Sequence, residues 1–280
     1  AAFLDATAGP EHTAPYWAPP KEGRYLDDAG RDPKTLRIAF TWKPVLPGRE
    51  DRECKAAVDD AAKLCASLGH ELVEAAPPVD GAKLSRAFFT VYCAGVAGEL
   101  RYSERITGRP ARPDDVEPTT WLMGMIGRTM LSAGDLSLAI RELQACGRDI
   151  ARFQETYDLV LTPTLGKPPV PHGSLGPQGW EKRAQEWVAR RNVTPALHAP
   201  GLMDKAIARA FGFAPFTPIA NVTGQPSMSV PLYWTPDGLP MGVCFTARFG
   251  DERTLFELGG QLERARPWKD RRPPVCAGAA

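Results

Sequence analysis

The sequence predicts an α/β fold, on three observations. Leu36–Trp42 (LRIAFTW) is a short apolar run with β-branched and aromatic members, as a buried strand requires. Residues 52–68 place apolar side chains at Cys54, Ala57, Val58, Ala61, Leu64, Cys65 and Leu68. That is a 3.6-residue period, and Gly69 sits at the position of a helix C′ glycine. Glu71–Ala75 then reads as a second strand, stopped by Pro77–Pro78. Strand, helix and strand within about forty residues make a βαβ unit, which favours a parallel sheet.

The other elements follow in chain order. The opening AAFLDATAG reads as the end of an element already under way, and with Ala rather than Met in first place it suggests a truncated start. Residues 8–35 are dense in Pro, Gly and charge, and predict an extended surface segment with Tyr16, Trp17 and Tyr25 as aromatic anchors. Helices are expected over 82–106 and 119–154. Asp158–Thr164 (DLVLTPT) is the next strand, with Pro163 near its end. Residues 166–203 read as a loop insertion around a short amphipathic piece from Trp180 to Arg191. Strands resume near Phe216, and Met228–Tyr233 and Met241–Ala247 flank a Pro-Asp-Gly turn, a hairpin signal. Asp251 is placed to cap a last helix through Ala265, and the tail beyond Pro267 is expected to fray.

Composition excludes several classes of function. A net charge of +1 over 280 residues gives no electrostatic reason to expect nucleic acid or an anionic membrane as partner. The longest uncharged stretch, Ala210–Pro236, is interrupted by five prolines, so no spanning helix can persist there, and buried strands and loops are expected instead. No secretory signal opens the chain. Six dispersed cysteines without a C-x-x-C pair predict reduced thiols in a cytoplasm. Four histidines without zinc spacing leave no metal site, and no cofactor is called for.

Phe216–Trp268 (FTPIANVTGQPSMSVPLYWTPDGLPMGVCFTARFGDERTLFELGGQLERARPW) resembles the closing segment of the amidase-signature family. There a TG-P-(A/S)-(M/L)-S-V-P run leads into a G-L-P-(V/M)-G-V strand and a final helix. Asp158–Pro171 resembles the family's D-(L/V)-(L/I)-(L/V)-T-P strand, and Leu4–Glu11 (LDATAGPE) resembles its L-x-A-(I/T)-A-G-x-D element. The three motifs stand in the family's order, and within it the resemblance is to bacterial amidases of the 6-aminohexanoate-cyclic-dimer hydrolase type.

The resemblance implies a twisted mixed sheet with helices on both faces, incomplete in this chain, which would be the C-terminal portion of a single amidase domain. It also implies hydrolysis of a C–N amide bond by a Ser nucleophile, a second Ser on a cis peptide and a Lys base. The family places the Lys and a Gly/Ser-rich loop before the element matched by Leu4–Glu11. None of the eight serines here sits in a Gly-Ser-Ser-Gly context, so no catalytic residue is assigned. The implied partners are a small-molecule amide and the missing N-terminal amidase segment, with a homo-oligomer left open for the complete protein. A non-catalytic amidase-derived binding module or pseudo-enzyme subunit is the alternative.

Four residues are candidates for substrate binding: Cys93, Thr162, Thr164 and Asn221. Cys93 lies on an apolar helix, where a buried inert thiol is the default. The resemblance sets that helix beside the acyl pocket. Thr162 and Thr164 flank Pro163 at a strand end, where α/β proteins bind ligands, although strand-end capping explains them too. Asn221 either holds the Val222–Gly224 turn or faces substrate. Ser227 and Ser229 point to one face and read as small polar packing residues. His172 and His198 receive no role.

Overall fold

The computed structural model describes residues 1–276 apart from Glu50, Ala199, Pro200 and Pro274. Two short helices, α1 (Ala2–Thr7) and α2 (Tyr25–Ala29), precede the βαβ unit, which is β1 (Arg37–Phe40), α3 (Arg52–Ser67) and β2 (Glu71–Glu74). Helices α4 (Gly81–Thr107), α5 (Pro118–Thr129) and α6 (Ala133–Phe153) lead to β3 (Leu159–Pro163). After α7 (Gly179–Arg191), α8 (Leu202–Phe211) and α9 (Pro218–Thr223) come the hairpin strands β4 (Ser227–Trp234) and β5 (Pro240–Ala247), then α10 (Glu252–Ala265).

The strands form one sheet in the order β2-β1-β3-β5-β4. β1 pairs parallel with β2 (Ile38 opposite Leu72) and with β3 (Ile38 opposite Leu159). β5 runs antiparallel to both β3 (Leu161 opposite Phe245) and β4 (Val230 opposite Val243). The sheet is therefore mixed. Its antiparallel part follows from the tight turn at Thr235–Gly238, where Gly238 takes φ +79° and donates to Thr235 O at 2.8 Å.

One face packs against α3 and α10. Ile38, Leu159, Leu161, Val243 and Phe245 meet Ala57, Val58, Ala61, Leu258 and Leu262 in one buried cluster. Each fully buried large aliphatic side chain there stabilises the fold by about 1.5–3 kcal/mol. Two caps are those the sequence predicts: Asp251 accepts from Thr254 N–H, and Gly69 after α3 has φ +92°; Asp51, which is not among them, caps α3 by accepting from Glu53 N–H. In α10, Gly260 is a close-approach residue, because a Cβ there would lie 1.9 Å from Ala29 O of α2.

The opposite side carries the second cluster, in which α4, α5 and α8 bury Phe89, Cys93, Leu100, Trp121, Met125, Ile207 and Phe211. Here several expectations change. The single helix over 119–154 is two helices, broken at Met130–Leu131 where Ser132 caps α6 in a capping box with Asp135. The segment near Phe216, expected to be strand, forms α9, with Pro218 at its first turn and Gly224 closing it at φ +70°. Tyr25 is buried against Phe256, but Tyr16 and Trp17 are exposed. The tail is held at Trp268, which packs on the first cluster, and at Arg271, whose guanidinium lies 3.9 Å from the Trp234 ring.

Candidate functional site

Alternation along three adjacent strands puts hydroxyl groups on the sheet face opposite α3 and α10. Pro163, Val243 and Val230 lie in register and face one way. Their neighbours Thr162 and Thr164, Gly242, Cys244 and Thr246, and Ser227 and Ser229 therefore face the other. Ser227 Oγ and Thr246 Oγ1 hydrogen-bond at 2.9 Å, and Thr164 Oγ1 and Ser229 Oγ at 2.7 Å. The second bond spans β5 at Gly242, where a Cβ would come within 2.5 Å of Ser229 Oγ. Glycine at that position lets the two hydroxyls meet.

This face runs into a crevice at the carboxyl ends of the parallel strands. From β1 the chain crosses one side of the sheet through α3, and from β2 it returns on the other side through α4, α5 and α6. The loops after β1 and β3 both reach Pro215, which a Cβ on Gly48 would meet at 2.9 Å and one on Gly166 at 3.0 Å, and the carboxyl ends of parallel strands are where such sheets bind ligands. Thr41, Lys43, Pro77, Thr162, Phe216 and Ile219 line the cavity there, about 30 Å³ in volume. Ligand pockets usually enclose about 300–1,000 Å³, so these residues form a wall and not an enclosure.

The structure brings three of the four predicted residues into this neighbourhood. Thr162 lines the crevice, with its hydroxyl donating to Pro163 O at 3.1 Å. Thr164 lies on the hydroxyl face. Asn221 is on α9, the helix that supplies Ile219. Its side chain is exposed. Holding the turn was one of the two roles expected for it, and that turn is closed by Gly224 N–H donating to Ala220 O at 2.8 Å. Cys93 is set apart, fully buried in the helical cluster, and burial pushes its thiol up to about 12. It stays protonated and acts there as a small apolar group. Sequence reasoning missed Thr41, Lys43, Gln154 and Gln225. Gln225 had a usable signal, being polar within the same uncharged stretch as Asn221.

Groups absent from this face matter as much. Among the described residues no Lys or His hydrogen-bonds to a Ser hydroxyl; Ser229 pairs only with Thr164. Lys43, which lines the crevice, is solvent-exposed and faces Glu74 at 3.9 Å. No group of three or more His, Cys, Asp or Glu among the described residues is placed to hold a metal ion. No helix among them is long and apolar enough to cross a membrane.

The sequence profile of the family described as Amidase matches residues 1–256. The chain belongs to the amidase family. Amidase relatives include the 6-aminohexanoate-cyclic-dimer hydrolases of Pseudomonas sp. (strain NK87) and Paenarthrobacter ureafaciens. Each is 29% identical over 279 residues, covering 98% of this chain and 53% of the relative. The lipoamidase of Enterococcus faecalis is 31% identical over 238 residues, covering 84% of this chain and 32% of its own length. Among solved amidase structures, 6-aminohexanoate cyclic dimer hydrolase complexed with substrate superposes with a TM-score of 0.79, over 98% of this chain and 54% of that one. A bacterial aryl acylamidase of the amidase-signature family shares the fold at 17% identity and a TM-score of 0.64. The chain thus spans about half the length of the 6-aminohexanoate-cyclic-dimer hydrolases it matches.

Proposed function

We propose that residues 1–280 are the C-terminal portion of a single amidase domain that hydrolyses the C–N bond of a small-molecule amide. In this reading the Ser nucleophile, the bridging Ser on a cis peptide and the Lys base lie upstream, and this chain supplies a wall of the substrate pocket. The observation that carries it is the hydroxyl face, which is open and built on the family motifs, yet among the described residues no Lys or His hydrogen-bonds to a Ser there. A Ser hydroxyl near neutral pH is a weak nucleophile until a neighbouring base takes its proton. A Lys can serve as that base when a dry pocket lowers its pKa; Lys43 is exposed and paired with Glu74. Backbone N–H groups of the Gly-rich loop would then stabilise the oxyanion. Thr162, Thr164 and Asn221 are the proposed substrate contacts. Cys93, although buried, would act through the packing of α4 behind them.

The test is complementation. Co-expression with the N-terminal segment of this protein or a close relative should yield a stable complex with amidase activity that depends on the added Lys and Ser. The isolated chain should hydrolyse no simple amide, since losing the nucleophile alone costs on the order of a million-fold in turnover. Turnover by the isolated chain that Ser229→Ala abolishes would overturn the assignment. A stable complex that stays inactive despite an intact Lys and Ser pair would leave only the fold.

A further inference from the structure

Gln154 and Gln225 meet beneath the sheet as a pair of buried amides. Gln225 Nε2 donates to Ala247 O at 2.9 Å and also to Gln154 Oε1, while Gln154 Nε2 donates to Thr246 O at 3.2 Å. These bonds fix the orientation of the Gln225 amide, because turning it over would aim its oxygen at two other acceptors. Gln225 Oε1 is then a buried acceptor with no donor among the described residues. Such a group carries the full cost of its desolvation unless something donates to it.

Gln225 also lines the cavity of about 30 Å³ at the carboxyl ends of β1 and β3, together with Thr41 and Thr162. The Thr41 hydroxyl, itself buried, accepts from Lys43 N–H at 3.1 Å, and its own proton goes to no described group. The Thr162 hydroxyl spends its proton on Pro163 O and keeps free lone pairs. The residues lining the cavity therefore supply an acceptor without a donor, a donor without an acceptor, and a spare lone pair. We infer that it is a built site for one ordered water molecule. The water donates to Gln225 Oε1 and to Thr162 Oγ1 and accepts from the Thr41 hydroxyl. Buried waters make about three such bonds and need about 10–15 Å³ of room, whereas apolar cavities stay dry.

The inference stands independently of the amidase reading, but it separates two candidates. With the water in place the Thr162 hydroxyl is committed to the cavity. Thr164, on the far side of Pro163, is then the threonine left for a ligand.

A high-resolution crystal structure of the wild-type chain decides the matter, with Thr41→Val and Thr162→Val as conservative variants and ¹⁷O relaxation dispersion counting long-lived waters in solution. The expected result is one water at 2.7–3.2 Å from Gln225 Oε1 in the wild type. It should be lost in Thr41→Val, with one fewer long-lived water in solution; Thr162→Val serves if Thr41→Val does not fold. A dry cavity in the wild type, Gln225 Oε1 seated on a protein donor, or a water unchanged in both variants would each overturn it.

Discussion

A methyl group on Gly242 would come within 2.5 Å of Ser229 Oγ and 2.9 Å of Thr164 Oγ1, so their hydroxyls meet only because that position carries no side chain. Gly242→Ala should break the bond and cost about 1–3 kcal/mol, read as a lower urea midpoint at unchanged m-value. The buried thiols act on stability through pH. Burial pushes Cys54, Cys65 and Cys93 up to about 12 and Cys146 up to about 11, from 9.0. Below pH 9 these groups are protonated whether the chain is folded or unfolded. Between pH 9 and 12 the unfolded chain releases protons that the folded chain keeps, so folding stability falls as pH rises. Urea unfolding at pH 8, 9 and 10 should show the midpoint holding until about pH 9 and dropping beyond it. A midpoint that stays flat to pH 10 would contradict the burial of these thiols.

At the scale of elements, α4 and α5 approach each other closely. A Cβ on Gly127 would lie 2.2 Å from Cys93 O, and one on Gly124 would lie 2.5 Å from Leu100 Cδ1. Close approach of the two backbones needs glycine at 127, whereas at 124 the neighbour is the tip of the Leu100 side chain. Gly127→Val should push the helices apart at a cost of about 3 kcal/mol, with faster amide exchange along both. Gly98 is the control. It lies in the same helix as Cys93, is exposed, and has nothing within 4 Å of a Cβ. Gly98→Ala should therefore stabilise by about 0.5–1 kcal/mol. Equal effects from the two substitutions in a thermal unfolding comparison would contradict the packing described.

Across the whole molecule, the surfaces left open among the described residues include the edge of β4, the hydroxyl face and a groove along α6. Ala247 N–H donates to Pro226 O at 3.0 Å, so alternation turns the N–H groups of Ser227 and Ser229 outward, away from β5. No described strand pairs with that edge. The α6 groove, about 590 Å³, combines Leu136 and Ile140 with Arg141 and Arg148. Open edges and apolar grooves favour association, so the isolated chain should bind a hydrophobic dye and aggregate. The complemented complex should do neither. A monomeric isolated chain with a sharp thermal transition and no dye binding would favour a stand-alone module instead.

What the sequence determined by itself was local. The 3.6-residue period over 52–68, the Gly69 stop, the Asp251 cap and the Pro-Asp-Gly turn each depend on residues a few positions apart, and all reappear in the structure. The placement of Thr162 and Thr164 at a strand end was legible for the same reason, since a strand end and its alternation are written in seven residues. Tertiary structure decided the rest. It ended α5 at Thr129 and made a helix of 218–223, where Ile219 and Val222 pack against the buried cluster. It also exposed Asn221 and withdrew Cys93 from the crevice. The sheet order joins Leu161 to Phe245, and the buried amide pair joins Gln154 to Gln225. Such contacts depend on which distant surfaces exclude water from each other, and no local period or turn signal carries that information.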